Sequence, residues 1–351
     1  MKILHVTNHF HPCVGGIERH VLDLCIQLRK RGHTSDVLCL NRCPDGNHLP
    51  CEGEHQGIKI SRVPFLDLKY YKVGRGVLSK LKGYDVVHVH GMGYFLDMIA
   101  ATKCIHRKRI ILSTHGGFFH TKKLGLLKRL HFQTAARLSL QAVERVVAVS
   151  RQDFERFSCV SGRVEHIPNG IDSQQFRVGK KCGKGIVSVG RFAPNKRIDL
   201  LVKTFRRVAE MDKGVRLTIV GGGEIGQLRG MVEGFEDNIV FAGDVSQEEK
   251  FGLLANAGFF ASASEYEGFG ISVLEGMASG CVPLVSPLPT YNDILNGKGF
   301  LVDYRNPEKA AGQILEILGK DMTLLRKRAR EEARKYDWPH VMEKWESVYS
   351  L

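Results

Sequence analysis

The sequence predicts an α/β protein with two parallel-sheet domains. Short β-branched runs alternate with helical patterns of about ten to fifteen residues, which is typical of parallel sheets covered by helices. A length of 351 residues exceeds one ordinary core and favours two domains. A composition of 43% hydrophobic and 25% charged residues is that of a folded protein rather than a disordered one.

The strands fall into two series along the chain. The first series is KILHVT, TSDVLCL, IKISRV, DVVHVHG, RIILSTHG, RVVAVS and VEHIP, and the second is GIVSVG, RLTIVGGG, NIVFAGD, FFASAS, VPLVS and GFLVD. The polar stretch NGIDSQQFRVGKKCGKG separates them. We therefore predict an N-terminal domain at 1–170, a linker at 171–184, a second domain at 185–335 and a final helix at 336–351 that can cross back to the first domain.

Composition also predicts the compartment. No apolar run approaches the roughly 18 residues that a membrane span needs, and MKILHVTNHF begins a strand instead of a cleavable leader. We expect a cytoplasmic protein. Nine scattered cysteines favour reduced thiols.

One cysteine-rich stretch is a weak candidate for structural zinc. CLNRCPDGNHLPCEGEH brings together Cys39, Cys43, His48, Cys51 and His55. It lacks paired C-x-x-C knuckles, so zinc is not predicted there.

In the first domain, candidate site residues follow the strands. Gly15 and Gly16 precede a predicted helix, where backbone N–H groups can approach an anion, although a flexible turn explains them equally well. His115 ends a strand. His88 and His90 alternate on one strand; with no third ligand evident, we predict a strand face and no metal.

In the second domain, VGRFAPNKRID supplies Arg191 and Lys196 after a strand, a pair suited to a diphosphate. Further on, TIVGGGEIG matches G-x-G-x-x-G, with Asp244 lying 21 residues beyond Gly223. The glycines of that match are Gly221, Gly223 and Gly226. This match keeps open an NAD-dependent oxidoreductase as the alternative function.

The stretch EYEGFGISVLEGMASG places Glu267 on a loop and Glu275 in the second turn of a helix. The backbone N–H groups from about Phe269 to Ser272 form the positive helix end between these acids. Acids flanking an anion site fit a ligand with hydroxyl groups on either side of its phosphates. A nucleotide diphosphate sugar has that layout.

These residues resemble the E-x7-E signature of retaining glycosyltransferases of family 4, which have the GT-B fold of two Rossmann-like domains facing across a cleft. Ordered matches cover nearly the whole chain. They are Gly15-Gly16, STHGG, VAVS, IPNGID, VGRFAPNKR, GGGE, FAGDV and EGFGISVLEGMASGCVP. LSTHGGFFHT looks most like bacterial mannosyltransferases that use GDP-mannose to extend a cellobiosyl diphosphate-polyprenol in exopolysaccharide assembly.

The resemblance implies a role for each site residue. Glu275 binds the ribose, Glu267 the transferred sugar, and Arg191 with Lys196 the leaving diphosphate, while His115 faces the sugar near its reacting carbon. The implied donor-binding set is Gly15, Gly16, Gly190, Arg191, Lys196, Gly221, Gly222, Glu267, Gly268, Phe269, Gly270, Ile271 and Glu275.

The resemblance also implies the chemistry. In retaining members, the departing phosphate oxygen takes the proton of the attacking hydroxyl, so a protein nucleophile is unnecessary. The sequence contains no D-x-D for a diphosphate-bound metal, and the Arg/Lys pair can replace it, so we expect neither metal nor cofactor. A catalytically silent carbohydrate-binding protein of the same fold remains a third alternative.

The net charge of +14 is concentrated in one segment. Residues 101–150 contain ten Lys and Arg against the single acid Glu144, a local charge of +9. Within it, HTKKLGLLKRLHFQTAARL mixes cations with leucines; the cations are Lys122, Lys123, Lys128 and Arg129. We expect this helix to dock on an anionic inner membrane leaflet beside a lipid-linked acceptor, or to be an ordinary amphipathic helix on the first sheet. Nucleic acid is not the expected partner, because the apolar residues are aliphatic.

Overall fold

The computed structural model describes residues 1–13, 15–68, 71–116, 134–180 and 182–350. The chain divides into two compact units. Unit 1 comprises Met1–Gly170 and Trp338–Leu351, and unit 2 comprises Ile171–Asp337.

Unit 1 is built on an eight-stranded sheet. The strands described in unit 1, which include two outside this sheet, are β1 (Lys2–Val6), β2 (Thr34–Leu40), β3 (Glu52–His55), β4 (Ile58–Val63), β5 (Phe65–Asp67), β6 (Lys72–Gly74), β7 (Val86–His90), β8 (Arg109–Ser113), β9 (Arg145–Ala148) and β10 (Val164–His166). The sheet order is β10-β9-β8-β7-β1-β2-β4-β3, and β5 pairs with β6. Only β3 is antiparallel to its neighbour within that sheet.

Helices cover this sheet. They are α1 (Gly16–Lys30), α2 (Val77–Lys80), α3 (Tyr94–Ala101), α4 (Lys103–His106), α5 (Ala135–Gln141), α6 (Arg151–Ser158) and the C-terminal helix (Trp338–Ser350). The α1 side chains of Leu24 and Leu28 share a buried cluster with Trp345 and Tyr349 of the C-terminal helix. These apolar residues recur at helical spacing, so both helices bury one face against unit 1.

Unit 2 is built on a parallel six-stranded sheet. Its strands are β11 (Cys182–Val189), β12 (Arg216–Val220), β13 (Ile239–Gly243), β14 (Ala257–Ser262), β15 (Val282–Val285) and β16 (Phe300–Leu301), in the order β13-β12-β11-β14-β15-β16. Its helices are α7 (Ile198–Met211), α8 (Gly226–Gly230), α9 (Gln247–Asn256), α10 (Ile271–Ala278), α11 (Pro289–Leu295), α12 (Pro307–Leu318) and α13 (Thr323–Arg334). Short 3-10 turns span Ser173–Gln175 and Pro194–Lys196.

Each sheet reverses its winding direction at one strand. In unit 1 the chain passes from β1 to β2 on one side and later to β7 on the other, and in unit 2 it passes from β11 to β12 and later to β14. Ligands of open α/β sheets bind beyond the carboxyl ends of the strands at such a point. The loop after β1 ends at Gly15, directly before Gly16 opens α1, and the loop after β11 carries Gly190 and Arg191.

The predicted α/β fold class is confirmed. All predicted strands occur in these two sheets, and sequence analysis missed β3, β5 and β6. The first strand of unit 2 begins at Cys182, before the predicted domain start at residue 185. The basic segment with Lys122, Lys123, Lys128 and Arg129 lies outside the described residues. In the part of the chain that the structure covers, every helix is too short or too polar to cross a bilayer.

The cysteine prediction is wrong for one pair. Cys13 and Cys43 form a disulfide bond, because the β1 loop and the loop after β2 bring their Cα atoms to 5.8 Å. Cys39 and Cys51 are free, the first buried at the end of β2 and the second exposed. With Cys43 bonded to Cys13, the suspected zinc cluster loses one of its ligands.

Candidate active site

The loop after β12 needs glycine because its backbone lies close to the backbone of the loop after β11. A Cβ on Gly221 would lie 2.1 Å from the carbonyl oxygen of Gly190, and Gly221 has a φ of +138°, which side chains rarely adopt. A Cβ on Gly222 would lie 2.1 Å from Oδ2 of Asp244. These glycines let the ends of β11, β12 and β13 approach one another.

The rest of the G-x-G-x-x-G match does not form a dinucleotide site. Gly223, with a φ of +138°, packs against Phe192, whereas Gly226 would accommodate a Cβ with nothing within 4 Å. The helix that follows, α8, has only five residues. In a dinucleotide fold the third glycine allows close packing and a longer helix carries the pyrophosphate. The geometry therefore gives no support to the oxidoreductase alternative.

Glu267 is the centre of a polar cluster at the end of β14. Its Oε1 accepts hydrogen bonds from Lys196 Nζ at 2.5 Å, from Ser264 Oγ at 2.8 Å and from the Tyr291 hydroxyl at 2.9 Å. Since Tyr291 gives its only proton to Glu267, Ser262 donates to the Tyr291 oxygen at 2.9 Å. Burial raises the pKa of Tyr291, so its hydroxyl stays a donor. The three donors fix the carboxylate of Glu267 in one orientation.

Helix α10 begins directly after this cluster. Gly270, in the left-handed region with a φ of +99°, precedes it, and a Cβ there would lie 3.0 Å from the Tyr291 ring. Gly268 and Phe269 lead into this turn, and Ile271 opens the helix. No side chain caps that end of α10, which leaves its N–H groups available to a ligand.

Glu275 follows in the second turn of α10. Its Oε1 accepts a hydrogen bond from Lys250 Nζ at 2.9 Å, and the two side chains are 13% and 15% exposed. The structure thus places Glu267 in a loop and Glu275 on a helix, as the Gly-Phe-Gly turn predicts. Each acid has a lysine partner.

Arg191 and Lys196 take different positions. Lys196 is held on Glu267, whereas Arg191 is exposed and has no acidic partner within ion-pair distance among the described residues. The neighbouring Arg197 pairs with Asp199 and Glu265. Arg191 therefore keeps its guanidinium available for an anion.

In unit 1, His115 has a constrained backbone. Its φ of +46° lies in the left-handed region, which is unusual for a residue with a side chain. The preceding Thr114 donates its hydroxyl to Oδ2 of Asp153 at 2.5 Å, and the N–H of Gly116 donates to the same oxygen at 2.7 Å. Burial raises the pKa of Asp153, although these hydrogen bonds oppose that shift. Asp153 thus fixes the loop on both sides of His115.

His115 belongs to a cluster of five imidazoles. His90 Nδ1 lies 3.0 Å from His115 Nε2, and His90 Nε2 lies 3.0 Å from His5 Nδ1. His88 and His90 share a strand face, as predicted, with ring centroids 4.1 Å apart. His20 lies with its ring centroid 5.1 Å from that of His115.

Burial keeps these imidazoles neutral. It lowers the pKa of His115 to about 4 and that of His5 to about 3, and it lowers the pKa values of His20, His88 and His90 well below the ordinary value. The sequence argument against a metal ion relied on the lack of a third histidine. The structure corrects it, since His5 lies within ligand distance of His88 and His90, and His20 within ligand distance of His90 and His115.

At the N-terminus of α1, Gly15 lies against the end of the flexible Glu18 side chain. A Cβ on Gly15 would lie 2.2 Å from Oε2 of Glu18, whereas Gly16 has open space around it. Gly15 is extended, with a φ of −175°, and its carbonyl accepts a hydrogen bond from Arg19. The space around Gly16 therefore leaves room for a ligand, and the Glu18 carboxylate would have to move to admit a side chain at Gly15.

Sequence analysis missed five residues of these clusters. They are His5, His20, Asp153, Lys250 and Tyr291. None stands in a recognisable motif, and each reaches its partner through the sheet topology rather than through sequence spacing. Only their positions could have indicated a role for two of them, because His5 lies in the first strand and His20 in the helix that follows the glycine loop, on either side of a predicted binding loop.

Comparison with known families matches both halves of the chain. Residues 14–175 match Glycosyltransferase Family 4, and residues 171–336 match Glycosyl transferases group 1. The GDP-mannose:cellobiosyl-diphosphopolyprenol alpha-mannosyltransferase of Xanthomonas oryzae pv. oryzae is 32% identical over 99% of this chain and 96% of the relative. The phosphatidyl-myo-inositol mannosyltransferase of Mycobacterium tuberculosis is 27% identical over 99% and 96%.

Solved structures share the fold at low identity. Sucrose-phosphate synthase from Thermosynechococcus elongatus has a TM-score of 0.77 at 19% identity and covers 99% of this chain and 98% of its own. Anabaena HepE, in complex with UDP and glucose, has a TM-score of 0.75 at 17% identity and covers 100% of both chains. These likenesses identify the architecture as GT-B.

Proposed function

The chain belongs to the family 4 glycosyltransferases, and we propose that it transfers mannose from GDP-mannose to a polyprenol diphosphate-linked saccharide in the synthesis of an exopolysaccharide or cell-surface glycan. One observation carries the donor assignment: Lys196 is held on Glu267 at the start of α10. This arrangement brings a cation from the loop after β11 to a carboxylate in the loop after β14, which leads into the N-terminus of α10.

Each part of the donor binds a different group of this site. The diphosphate lies at the N-terminus of α10 with Lys196 and the exposed Arg191, where N–H groups and cations favour negative charge. The sugar hydroxyls hydrogen-bond to Glu267, and the ribose hydroxyls to Glu275. The glycines around the site let the backbone come close to the diphosphate. Those of unit 2 are Gly190, Gly221, Gly222, Gly268 and Gly270, flanked by Phe269 and Ile271, and those of unit 1 are Gly15 and Gly16.

The transfer retains the configuration of the sugar and needs no protein nucleophile. Three donors already occupy Oε1 of Glu267, which lowers its nucleophilicity and suits it to orient a sugar hydroxyl through Oε2. Breaking the C–O bond leaves negative charge on the diphosphate, so Lys196 and Arg191 stabilise the transition state more than the ground state. The departing phosphate oxygen takes the proton of the acceptor hydroxyl on the same face. We place His115 beside the reacting carbon.

Metal independence is part of the proposal. Lys196 and Arg191 supply the positive charge that a divalent cation would give a diphosphate, and Lys250 keeps the Glu275 carboxylate paired. Each charge-assisted hydrogen bond contributes about 1.5 to 3 kcal/mol. The nucleotide sugar is a substrate, and no cofactor takes part.

The acceptor determines where the protein works. A polyprenol-linked saccharide stays in the membrane, so we propose that the enzyme binds the inner face of the cell membrane peripherally. The local charge of +9 in residues 101–150 supports attraction to anionic lipid.

A donor panel tests this function. The purified protein is incubated with synthetic polyprenol diphosphate-cellobiose and each of several nucleotide sugars, and nucleoside diphosphate release is measured with and without EDTA. We expect release with GDP-mannose, undiminished by EDTA, and an α-linked product by NMR. Binding of donor without release would favour the silent carbohydrate-binding protein, and release only with another donor would overturn the mannose assignment.

A further inference from the structure

His20 is an anomaly in the core of unit 1. It is only 2% exposed, yet neither of its ring nitrogens has a hydrogen-bond partner among the residues that the structure describes. Its ring stacks on Trp338 with centroids 5.9 Å apart and meets His115 edge-on. A buried imidazole always carries one N–H donor and one lone pair, so leaving both unpaired costs about 1 to 3 kcal/mol for each group.

We propose that His20, His90 and His115 form a binding site for a divalent transition-metal ion of the zinc class, and that the bound ion blocks glycosyl transfer. The blocking half rests on the proposed function, because it requires that His115 faces the sugar. The binding half stands on the three imidazoles alone.

The distances suit such an ion. One ring nitrogen of each of His20, His90 and His115 lies within 4.8 Å of the other two, and the nitrogens of His90 and His115 are 3.0 Å apart. Zinc–nitrogen bonds of about 2.0 to 2.1 Å in a tetrahedron put ligand nitrogens about 3.3 Å apart. The rings have to rotate to bring nitrogens that lie within 4.8 Å of one another to that separation. Three histidines leave the fourth position open to water.

The protons can be arranged without a net charge change in the ligands. His90 binds through Nδ1 when its Nε2–H donates to His5 Nδ1, and that hydrogen bond of 3.0 Å already exists. His115 binds through Nε2 when its proton moves to Nδ1. A ligand imidazole whose other nitrogen donates to a fixed acceptor is the usual support of a metal site.

The neighbouring trio of His5, His88 and His90 is less suited. Both nitrogens of His88 are engaged, Nδ1 with the Tyr349 hydroxyl at 2.7 Å and Nε2 with Ser113 Oγ at 2.9 Å. An ion there would have to break one of these hydrogen bonds. At the proposed site an ion replaces the hydrogen bond between His90 Nδ1 and His115 Nε2 with a metal bond to each nitrogen, and it also satisfies a nitrogen of His20 that has no partner among the described residues.

Cobalt(II) binding tests the site directly, because its visible spectrum reports four-coordinate geometry and ligand type. The starting protein carries Cys51→Ser, Cys104→Ser and Cys159→Ser, which removes, as competing ligands, the exposed thiols among the side chains that the structure describes. We expect one cobalt per chain with a four-coordinate spectrum that lacks thiolate charge transfer.

Two variants assign the ligands, and one serves as control. His20→Asn and His115→Ala should each weaken cobalt binding about tenfold or more, whereas His48→Asn, at an exposed position, should leave it unchanged. Circular dichroism checks folding, and His115, at the edge of the core, provides the answer if His20→Asn does not fold. Absent binding, or binding that survives both substitutions, would overturn the site and leave a hydrogen-bonded imidazole chain as the role of the cluster.

The proposed inhibition by the bound ion is tested by the rate of transfer with zinc divided by the rate without zinc. Transfer by the starting protein should fall about tenfold or more in excess zinc and recover with EDTA, and transfer by the His20→Asn variant should not respond to zinc. Zinc that binds without lowering transfer would refute the blocking. Lack of transfer in metal-free buffer would instead refute the proposed function and leave the binding result standing.

Discussion

The backbone N–H of Gly116 donates to Oδ2 of Asp153 at 2.7 Å, and this contact holds the loop that carries His115. The carboxylate lies on α6, just after the end of β9, while the loop follows β8. A strained residue persists only where its surroundings determine its conformation. Asp153 provides that determination for His115.

Replacing Asp153 with Ala should destabilise the protein by about 2 to 3 kcal/mol, because the Thr114 hydroxyl and the Gly116 N–H would lose a buried acceptor. The matched control is Glu155→Ala on the same helix, where an exposed ion pair with Arg151 contributes less than about 1 kcal/mol. Thermal unfolding measures both. Equal melting temperatures for the two variants would contradict the role of Asp153.

Tyr291→Phe should lower kcat about tenfold, because Glu267 loses one of the three donors that orient it. Tyr304→Phe is the control, since Tyr304 is also buried and donates its hydroxyl to the Leu284 carbonyl, away from Glu267. Tyr291→Phe loses two hydrogen bonds, those with Glu267 and Ser262, and Tyr304→Phe loses one, so at about 1 kcal/mol each their stabilities should fall by about 2 and about 1 kcal/mol. Steady-state kinetics with GDP-mannose separates them, and an equal loss of kcat in both would show that the effect is one of stability.

Gly221→Ala should destabilise unit 2 by about 3 kcal/mol or more, since the new Cβ would collide with the Gly190 carbonyl at a φ of +138°. Gly226→Ala should change stability by less than about 1 kcal/mol, because the space around it is open. Denaturant unfolding followed by fluorescence compares them. A large loss in Gly226→Ala would revive the dinucleotide interpretation of the loop.

Lys250→Gln should raise the donor KM about fivefold to tenfold while kcat stays within about twofold, because Lys250 positions the Glu275 carboxylate that we assign to the ribose. Lys320→Gln removes an exposed lysine paired with Glu316 and should leave both constants unchanged. A drop in kcat without a change in KM would place Lys250 in the chemical step instead.

Vesicle sedimentation tests the membrane proposal. The wild type should pellet with anionic but not with neutral vesicles, more weakly at high salt, and replacement of Lys122, Lys123, Lys128 and Arg129 by Ser should release it. The control removes the same charge from exposed positions of unit 2, replacing Lys327, Arg328, Arg334 and Lys335 by Ser. Equal binding by the two variants would contradict docking through this basic segment.

Sequence patterns predicted those parts of the fold that depend on local chemistry. Buried parallel strands are rich in β-branched and other apolar residues, so β1 (KILHV), β7 (VVHVH) and the IVSV end of β11 stand out, whereas the polar edge strand β3 (EGEH) carries no such signal. Glu267 and Glu275 could be placed because a Gly-Phe-Gly turn separates a loop from a helix. Of their lysine partners, Lys196 could be predicted because it lies in a recognisable motif. Lys250 could not, because it lies on an ordinary amphipathic helix.

Contacts that depend on strand order could not be predicted. His5 and His90 meet because β1 lies beside β7, although 79 residues of chain, 7–85, separate the two strands. The disulfide between Cys13 and Cys43 was missed for the same reason, since two loops at one sheet edge bring these residues together. The spacing of these residues along the sequence predicts neither the contact between His5 and His90 nor the disulfide.

The interruption of unit 1 by unit 2 sets the order in which the polypeptide can fold during translation. Trp338 and Trp345 belong to the cluster that contains Ile3 and Leu24, and they leave the ribosome only after all of unit 2 has been made. Unit 2 is continuous and can fold as soon as it emerges, whereas unit 1 must wait with this cluster open. Biosynthesis therefore reverses the usual N-terminal-first order, and the nascent first half presents exposed apolar surface to chaperones until Tyr349 reaches His88.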